Sequence, residues 1–130
     1  MRRTPYMAIR NGIFYYQRRL PKAVSLLWKH KILRISLKTK KRDKARFVAA
    51  KLNVLVDSLF QKVEYYYEYS EKWCSMQYND ALSICCEAVH MISLNEKEAD
   101  VIIARYLMAC ENHIGAGIVD VAVNFLSGKY

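Results

Sequence analysis

The dipeptide Asn11-Gly12 constrains the start of this chain more than any other feature of the sequence. It separates two segments with strand-forming patterns, residues 6–10 and 13–19, and Asn-Gly is the strongest short signal for a two-residue hairpin turn. Pro21 is expected to end the second strand. Because side chains alternate between the two faces of a strand, the register that this turn sets decides which residues face a core.

The predicted register sorts the side chains onto two faces. The turn places Arg10 opposite Ile13, and opposed residues share a face. A third strand, residues 32–38, follows a short helical segment at residues 22–30 and alternates in the same way. One face is predicted to be polar and basic, with Tyr6, Ala8, Arg10, Ile13, Tyr15, Gln17, Arg19, Ile32, Arg34, Ser36 and Lys38. The other is predicted to be apolar, with Met7, Ile9, Phe14, Tyr16, Leu33, Ile35 and Leu37.

A long helix is predicted to cover the apolar face. From Asp43 to about Tyr69, apolar residues recur at spacings of three and four, and no Gly or Pro interrupts them. Thr39 and Asp43 are both candidates to cap the beginning of this helix. We therefore expect an α+β fold, with a three-stranded antiparallel sheet packed on a long helix and followed by a small helical part.

The predicted helical part contains three segments. The first runs from Glu71 to about Ile92 and the last over residues 118–126. Between them, Ser93 and Glu96 have the spacing of a capping box, which predicts a helix over residues 94–113.

Charge is divided unevenly along the chain. Residues 1–51 contain 16 Lys and Arg residues and one acid, Asp43, for a net charge of +15, whereas residues 52–130 carry −6, and the total is +9. A chain divided in this way has one part suited to a polyanion. Double-stranded DNA is the first candidate, and an anionic membrane surface is the second. We divide the chain into a basic sheet-and-helix domain, residues 1–69, and an acidic helical extension, residues 70–130.

Length and composition exclude several classes of protein. With 130 residues, of which 53% are hydrophobic and 25% charged, the chain has the balance of one globular domain. It has neither an apolar run of about 18 residues nor a secretory signal. Four Cys without a signal favour free thiols in the cytoplasm. Cys85 and Cys86 are adjacent and no C-x-x-C spacing occurs, so we expect neither a metal site nor a cofactor.

A series of motifs extends from about residue 6 to residue 62. It comprises a Gly, paired aromatics, Arg-Arg before an aliphatic-Pro pair, and an R-x-S-L-x-T strand end that leads into an Ala-rich basic helix. The residues are Gly12, Tyr15, Tyr16, Arg18, Arg19, Leu20, Pro21, Arg34, Ser36, Leu37, Thr39, Ala45, Ala49 and Ala50. This pattern resembles the amino-terminal domain of phage and genomic-island tyrosine recombinases (integrases). Residues 94–107 are similar to a helix that often follows that domain. The resemblance implies that this region binds DNA beside a core recombination site.

The catalytic residues of that family have no counterparts here. The sequence contains no His-x-x-Arg, and neither Tyr130 nor the cluster at residues 65–67 has the partners that a tyrosine nucleophile needs. We therefore expect no enzymatic activity and no catalytic residues. On this interpretation the chain is an integrase fragment, a truncated product or a stand-alone accessory protein involved in site-specific recombination.

The candidate DNA-binding residues form two groups. A sheet can enter the major groove, where Arg pairs with guanine and Gln with adenine. The group on the polar sheet face is Arg10, Tyr15, Gln17, Arg19, Arg34 and Ser36. The second group lies where the third strand meets the long helix, in a position to contact phosphates. It consists of Lys38, Lys40, Lys41 and Arg42.

Three alternatives stay open at this point. The basic face can be a merely solvated surface, and a nuclease or recombinase is disfavoured because the basic part lacks a carboxylate pair. The chain can also be a regulatory module that binds integrase protomers or competes with a full integrase. Its helical part, including the apolar residues 118–126, can then associate with itself or with a recombinase segment.

Overall fold

The computed structural model describes residues 6–69 and 76–113. In chain order, its elements are β1 (Met7–Arg10), β2 (Ile13–Arg19), α1 (Lys22–Trp28), β3 (Ile32–Ser36), α2 (Arg42–Tyr69), α3 (Tyr78–Leu94), a 3₁₀ turn (Glu96–Glu98) and α4 (Ala99–His113). The strands form one antiparallel sheet in the order β1-β2-β3. The predicted α+β class, with a small sheet, a long helix and further helices, is confirmed.

The hairpin turn forms where the sequence predicts it. Asn11 and Gly12 have φ values of 51° and 80°, and two central residues with positive φ make the type I′ turn that matches the twist of paired strands. Asn tolerates this left-handed conformation, and Gly adopts it without a steric penalty. Arg10 pairs with Ile13 as predicted. This turn therefore determines which residues of the paired strands lie on the same face of the sheet.

The third strand ends two residues earlier than predicted. We expected it to reach Lys38, but β3 ends at Ser36 and Lys38 adopts a left-handed φ of 53°. The Leu37 N–H donates to the Phe14 carbonyl (2.9 Å), whereas the Phe14 N–H donates to the carbonyl of Thr39 (3.1 Å). Lys38 is therefore an extra residue between these two bonds, as in a bulge, and it leaves the row of polar-face residues.

Helix α2 packs its apolar stripe against the sheet and the other helices. The predicted stripe is buried along its whole length: Ala45, Val48, Ala49, Leu52, Leu55, Val56, Leu59 and Val63. Phe60 is buried as well. Of the two capping candidates, Thr39 accepts a hydrogen bond through Oγ1 from the Lys41 N–H, just before the helix (3.1 Å). Asp43 lies in the first turn, where a negative charge favours the helix dipole.

The predicted helix starts in the second half are wrong, whereas the predicted end at residue 113 is confirmed, because α4 ends at His113. Helix α3 begins at Tyr78 rather than near Glu71, and the Asp80 carboxylate accepts a hydrogen bond from the Gln77 N–H at its start (2.9 Å). Ser93 does not begin a helix, because it lies in the last turn of α3. Residues 70–75, with Cys74, and the predicted helix at residues 118–126 lie outside the described residues.

Buried residues from both halves of the chain form one hydrophobic core. Trp28 links them, because its indole Nε1 donates to the Met76 carbonyl (2.9 Å) and its ring meets Phe60 edge-on. Cys85 and Cys110 are buried, as expected of small hydrophobic residues. The division into two domains at residue 69 stays a prediction. Within the described ranges, no helix has the length and apolar character needed to cross a membrane.

Candidate nucleic-acid interface

The six candidate residues of the sheet face lie together on one face. Tyr6, also predicted on that face, does not: it precedes β1 with a φ of 64°, and its ring lies against Arg18 and Tyr16 on the opposite face. Tyr15 pairs with Ser36 and Gln17 with Arg34 across the β2–β3 ladder, so each pair shares a face. Arg19 and Arg10 have the same parity. The three arginines are exposed, and Tyr15, Gln17 and Ser36 are partly exposed. The face is therefore open to a ligand from solvent.

The polar face also carries apolar side chains that were not proposed as ligand contacts. Ile32 lies opposite Arg19 and is 36% exposed, and Ile13 is half-buried opposite Arg10. Such residues can contact the methyl group of thymine in a major groove. Their alternation with arginines gives the face both hydrogen-bond donors and apolar surface.

The junction between β3 and α2 is held by short-range hydrogen bonds from hydroxyl groups. Ser36 Oγ accepts from the Lys38 N–H at 3.1 Å, and Thr39 Oγ1 makes the matching bond to Lys41. The guanidinium of Arg42 lies 5.4 Å from the centroid of the Phe14 ring, which anchors it to the end of the hairpin. The four junction residues of the prediction, Lys38, Lys40, Lys41 and Arg42, are all exposed.

An open cleft beside the junction moderates its positive charge. Lys41, Arg42 and Lys44 line it together with Asp43 and Glu96. Glu96 reaches this region from the 3₁₀ turn between α3 and α4. Asp43 and Glu96 therefore offset part of the positive charge on this side of the junction.

The candidate cations have no acidic partners in the described part of the chain. The ion pairs of Arg18 with Asp57 (2.5 Å) and of Lys51 with Asp100 (2.6 Å) include no candidate residue. Seven exposed cations therefore form no ion pair with a described residue: Arg10, Arg19, Arg34, Lys38, Lys40, Lys41 and Arg42. Clustered positive charge of this kind attracts a polyanion.

Arg18 has a role that the sequence reasoning missed. Its side chain is only 17% exposed and lies on the helix-facing side of the sheet, opposite to Arg19. Its Nη1 contacts the Asp57 carboxylate and also donates to Asn53 Oδ1 (3.1 Å). The parity of β2 would have identified it, because Arg18 has the same parity as the core residue Tyr16.

Aromatic rings complete the environment of Arg18. Its guanidinium lies 4.6 Å from the ring centroid of Tyr6 and 5.1 Å from that of Phe60. The Tyr16 hydroxyl donates to Asn53 Oδ1 (2.6 Å), and burial raises the pKa of Tyr16 to about 12. This network ties the sheet to α2 and so fixes the sheet face relative to the junction.

The described residues contain no cluster of three or more His, Cys, Asp or Glu side chains suited to a metal ion. Burial raises the pKa of Cys110 to about 12 and also raises that of Cys85, so both thiols stay protonated at neutral pH. A neutral thiol is a poor nucleophile and a poor metal ligand.

Part of the chain matches a known protein family. Residues 6–65 match a family described as a domain of unknown function, DUF6538. The match extends over the sheet, α1 and most of α2, and it includes all ten candidate residues. Neither the comparison with curated proteins nor that with solved structures gave a match.

Proposed function

We propose that this chain binds double-stranded DNA through the polar sheet face and the β3–α2 junction. The observation that carries this proposal is the set of seven exposed cations without acidic partners on adjoining surfaces. Sequence-independent DNA affinity arises mainly from such cations, because they neutralise phosphates and release counterions. No acidic side chain intervenes among the candidate residues of the sheet face.

The sheet-face residues and the junction residues contact different parts of the DNA. The sheet is narrow enough to enter the major groove, where Arg19 and Arg34 reach base edges. Lys40, Lys41 and Arg42 follow immediately in the chain and contact the flanking phosphates. The Arg18 network holds these two surfaces in a fixed relation.

The biological role that we propose follows from the family resemblance. The chain acts as the amino-terminal region of a phage-type integrase, or as a truncated or stand-alone relative of one, in site-specific recombination. Its task there is to bind DNA beside the site of strand exchange. We propose that it performs no chemistry itself.

A duplex-binding titration tests the proposal. Fluorescence anisotropy of a labelled duplex should report binding that is weakened by Lys41→Ala. The matched control is Lys62→Ala, because Lys62 lies on α2 about 30 Å from its beginning at Arg42. Lys62→Ala should bind nearly as the unmodified chain does. Equal losses for both variants, or no binding, would contradict the proposed surface.

Incubation with supercoiled plasmid and a divalent metal tests the absence of catalysis. We expect no nicking, no joining and no covalent protein–DNA adduct, since the chain lacks the family's catalytic set. Gel electrophoresis after protease treatment gives the readout. An adduct mapped to any tyrosine of this chain would show that it is an enzyme.

A second candidate function is association with another protein, such as an integrase protomer or a second copy. A half-open groove of about 290 Å³ lies between α2 and α4. It is lined by Val54, Ile103 and Leu107, by two alanines, and by the ion pair of Lys51 with Asp100. Val54 is 52% exposed. Light scattering with and without DNA distinguishes a monomeric DNA-binding module from one that assembles.

A further inference from the structure

Gln17 and Arg34 contact each other in the middle of the polar sheet face. They are opposed residues of the β2–β3 ladder, and Arg34 Nε donates to Gln17 Oε1 at 2.9 Å. The Gln17 backbone N–H points to the other neighbour, β1, where it donates to the Tyr6 carbonyl (2.7 Å). The pair with Arg34 is therefore of the non-hydrogen-bonded type, in which side chains approach most closely.

We propose that Gln17 and Arg34 act as one unit that recognises a guanine in the major groove. Arg34 contacts the base, and Gln17 is a positioning residue that holds the guanidinium. This inference rests on the proposed DNA binding and adds the base that the sheet selects. It replaces the simpler expectation that Gln17 pairs with an adenine on its own.

The donors left free on Arg34 define the base. A guanidinium has five N–H donors, and the bond to Gln17 uses the one on Nε. The two Nη atoms remain as a planar fork. In the major groove guanine offers two adjacent acceptors, O6 and N7, whereas adenine, cytosine and thymine each offer at most one acceptor. A two-donor fork therefore fits guanine.

The same bond makes a bidentate contact between Gln17 and adenine less favourable, because one of the two Oε1 lone pairs is occupied and the amide is held against Arg34. A bidentate contact to adenine needs the Gln Oε1 to accept from N6 while the amide donates to N7. Here Oε1 already accepts from Arg34. Its contribution is to restrict an exposed arginine to one orientation before DNA arrives, which reduces the conformational entropy lost on binding.

The surroundings of the Gln17–Arg34 pair leave the two Nη atoms of Arg34 accessible to a ligand. Among the described residues Arg34 takes part in no ion pair, and it is exposed. The hydroxyl of Tyr78 donates to the Ile32 carbonyl (2.9 Å) and so fastens α3 to the free edge of β3 beside Arg34. The strand that carries Arg34 is held on both edges, while its side chain faces solvent.

The experiment begins with selection of duplexes from a random pool by the unmodified chain. Each guanine of the selected site is then replaced by 7-deazaguanine, which lacks N7, or by inosine, which keeps O6 and N7 but lacks the minor-groove amine. We expect one guanine at which 7-deazaguanine weakens binding about tenfold. Inosine at that position should change the affinity little.

Variants assign that guanine to the pair. Gln17→Met keeps the side-chain length but removes the amide acceptor. The tenfold ratio between the affinities for the guanine duplex and the 7-deazaguanine duplex should then fall to about two or three. Gln17→Glu restores an acceptor, so the ratio should recover although the added negative charge lowers all DNA affinities. Arg34→Ala, which removes every donor of this side chain, should abolish the ratio. Arg10→Ala, on the same face, should weaken both duplexes equally.

The possible results separate this inference from the proposed function. Duplex binding without a guanine whose N7 matters, or an unchanged ratio in Gln17→Met, overturns the Gln17–Arg34 unit and leaves DNA binding intact. Absence of duplex binding overturns both. Thermal melting of each variant shows that it is folded, because the two exposed side chains add little to the core.

Discussion

Two adjacent arginines of β2 lie on opposite faces of the sheet and so have different effects when they are removed. Arg18→Ala eliminates a partly buried ion pair with Asp57 and the contacts of the guanidinium with two rings, and it should destabilise the fold by about 1–3 kcal/mol. Arg19→Ala removes an exposed cation and should leave the melting temperature unchanged while weakening duplex binding. Circular-dichroism melts and a duplex titration of both variants provide the measurement. The reverse pattern would mean that the two faces have been exchanged.

At the scale of single residues, the sequence predicts on which face of the sheet a side chain lies better than it predicts which side chains it contacts. The alternation around Asn11-Gly12 assigns each strand residue to a side, and it also places Arg18 with Tyr16 once the parity is followed. The Gln17–Arg34 hydrogen bond depends on the rotamers of two long exposed side chains, which no spacing determines. The same holds for Arg42 over Phe14.

Strand β3 has one isoleucine on each face, and comparing the two tests how the sheet packs on α2. Ile35 is 1% exposed on the core face, whereas Ile32 is 36% exposed on the polar face. Ile35→Ala should cost about 2–5 kcal/mol because it leaves a cavity against α2. Ile32→Ala opens no enclosed cavity and should cost much less. Urea unfolding of the two variants measures the difference, and equal losses would refute this packing.

Element boundaries show where sequence patterns stop being sufficient. The long uninterrupted stripe of α2 predicts its extent well, because periodic burial over many turns outweighs local signals. The Ser93 and Glu96 pattern fails because Ile92 is buried and keeps α3 helical through Ser93. Lys38 departs from the strand because the chain must turn from β3 into α2, which local alternation does not reveal.

At the scale of the whole molecule, the hydrophobic core and the candidate cations are distributed differently along the chain. The core joins residues from both halves of the chain, while the seven candidate cations all lie between residues 10 and 42. The acidic residues of the second half contribute Glu96 beside the junction and Asp100 to the pair with Lys51. This arrangement leaves the candidate cations of the sheet face and the junction without ion pairs among the described residues, and we propose that they attract a polyanion.

The salt dependence of duplex affinity tests the central claim most directly. If the sheet face and junction neutralise about five phosphates, the logarithm of the association constant should fall with the logarithm of salt concentration at a slope of about −4 to −5. Lys41→Ala should make the slope shallower by about one, whereas Lys62→Ala should leave it unchanged. A slope near zero for the unmodified chain would contradict DNA binding by these cations.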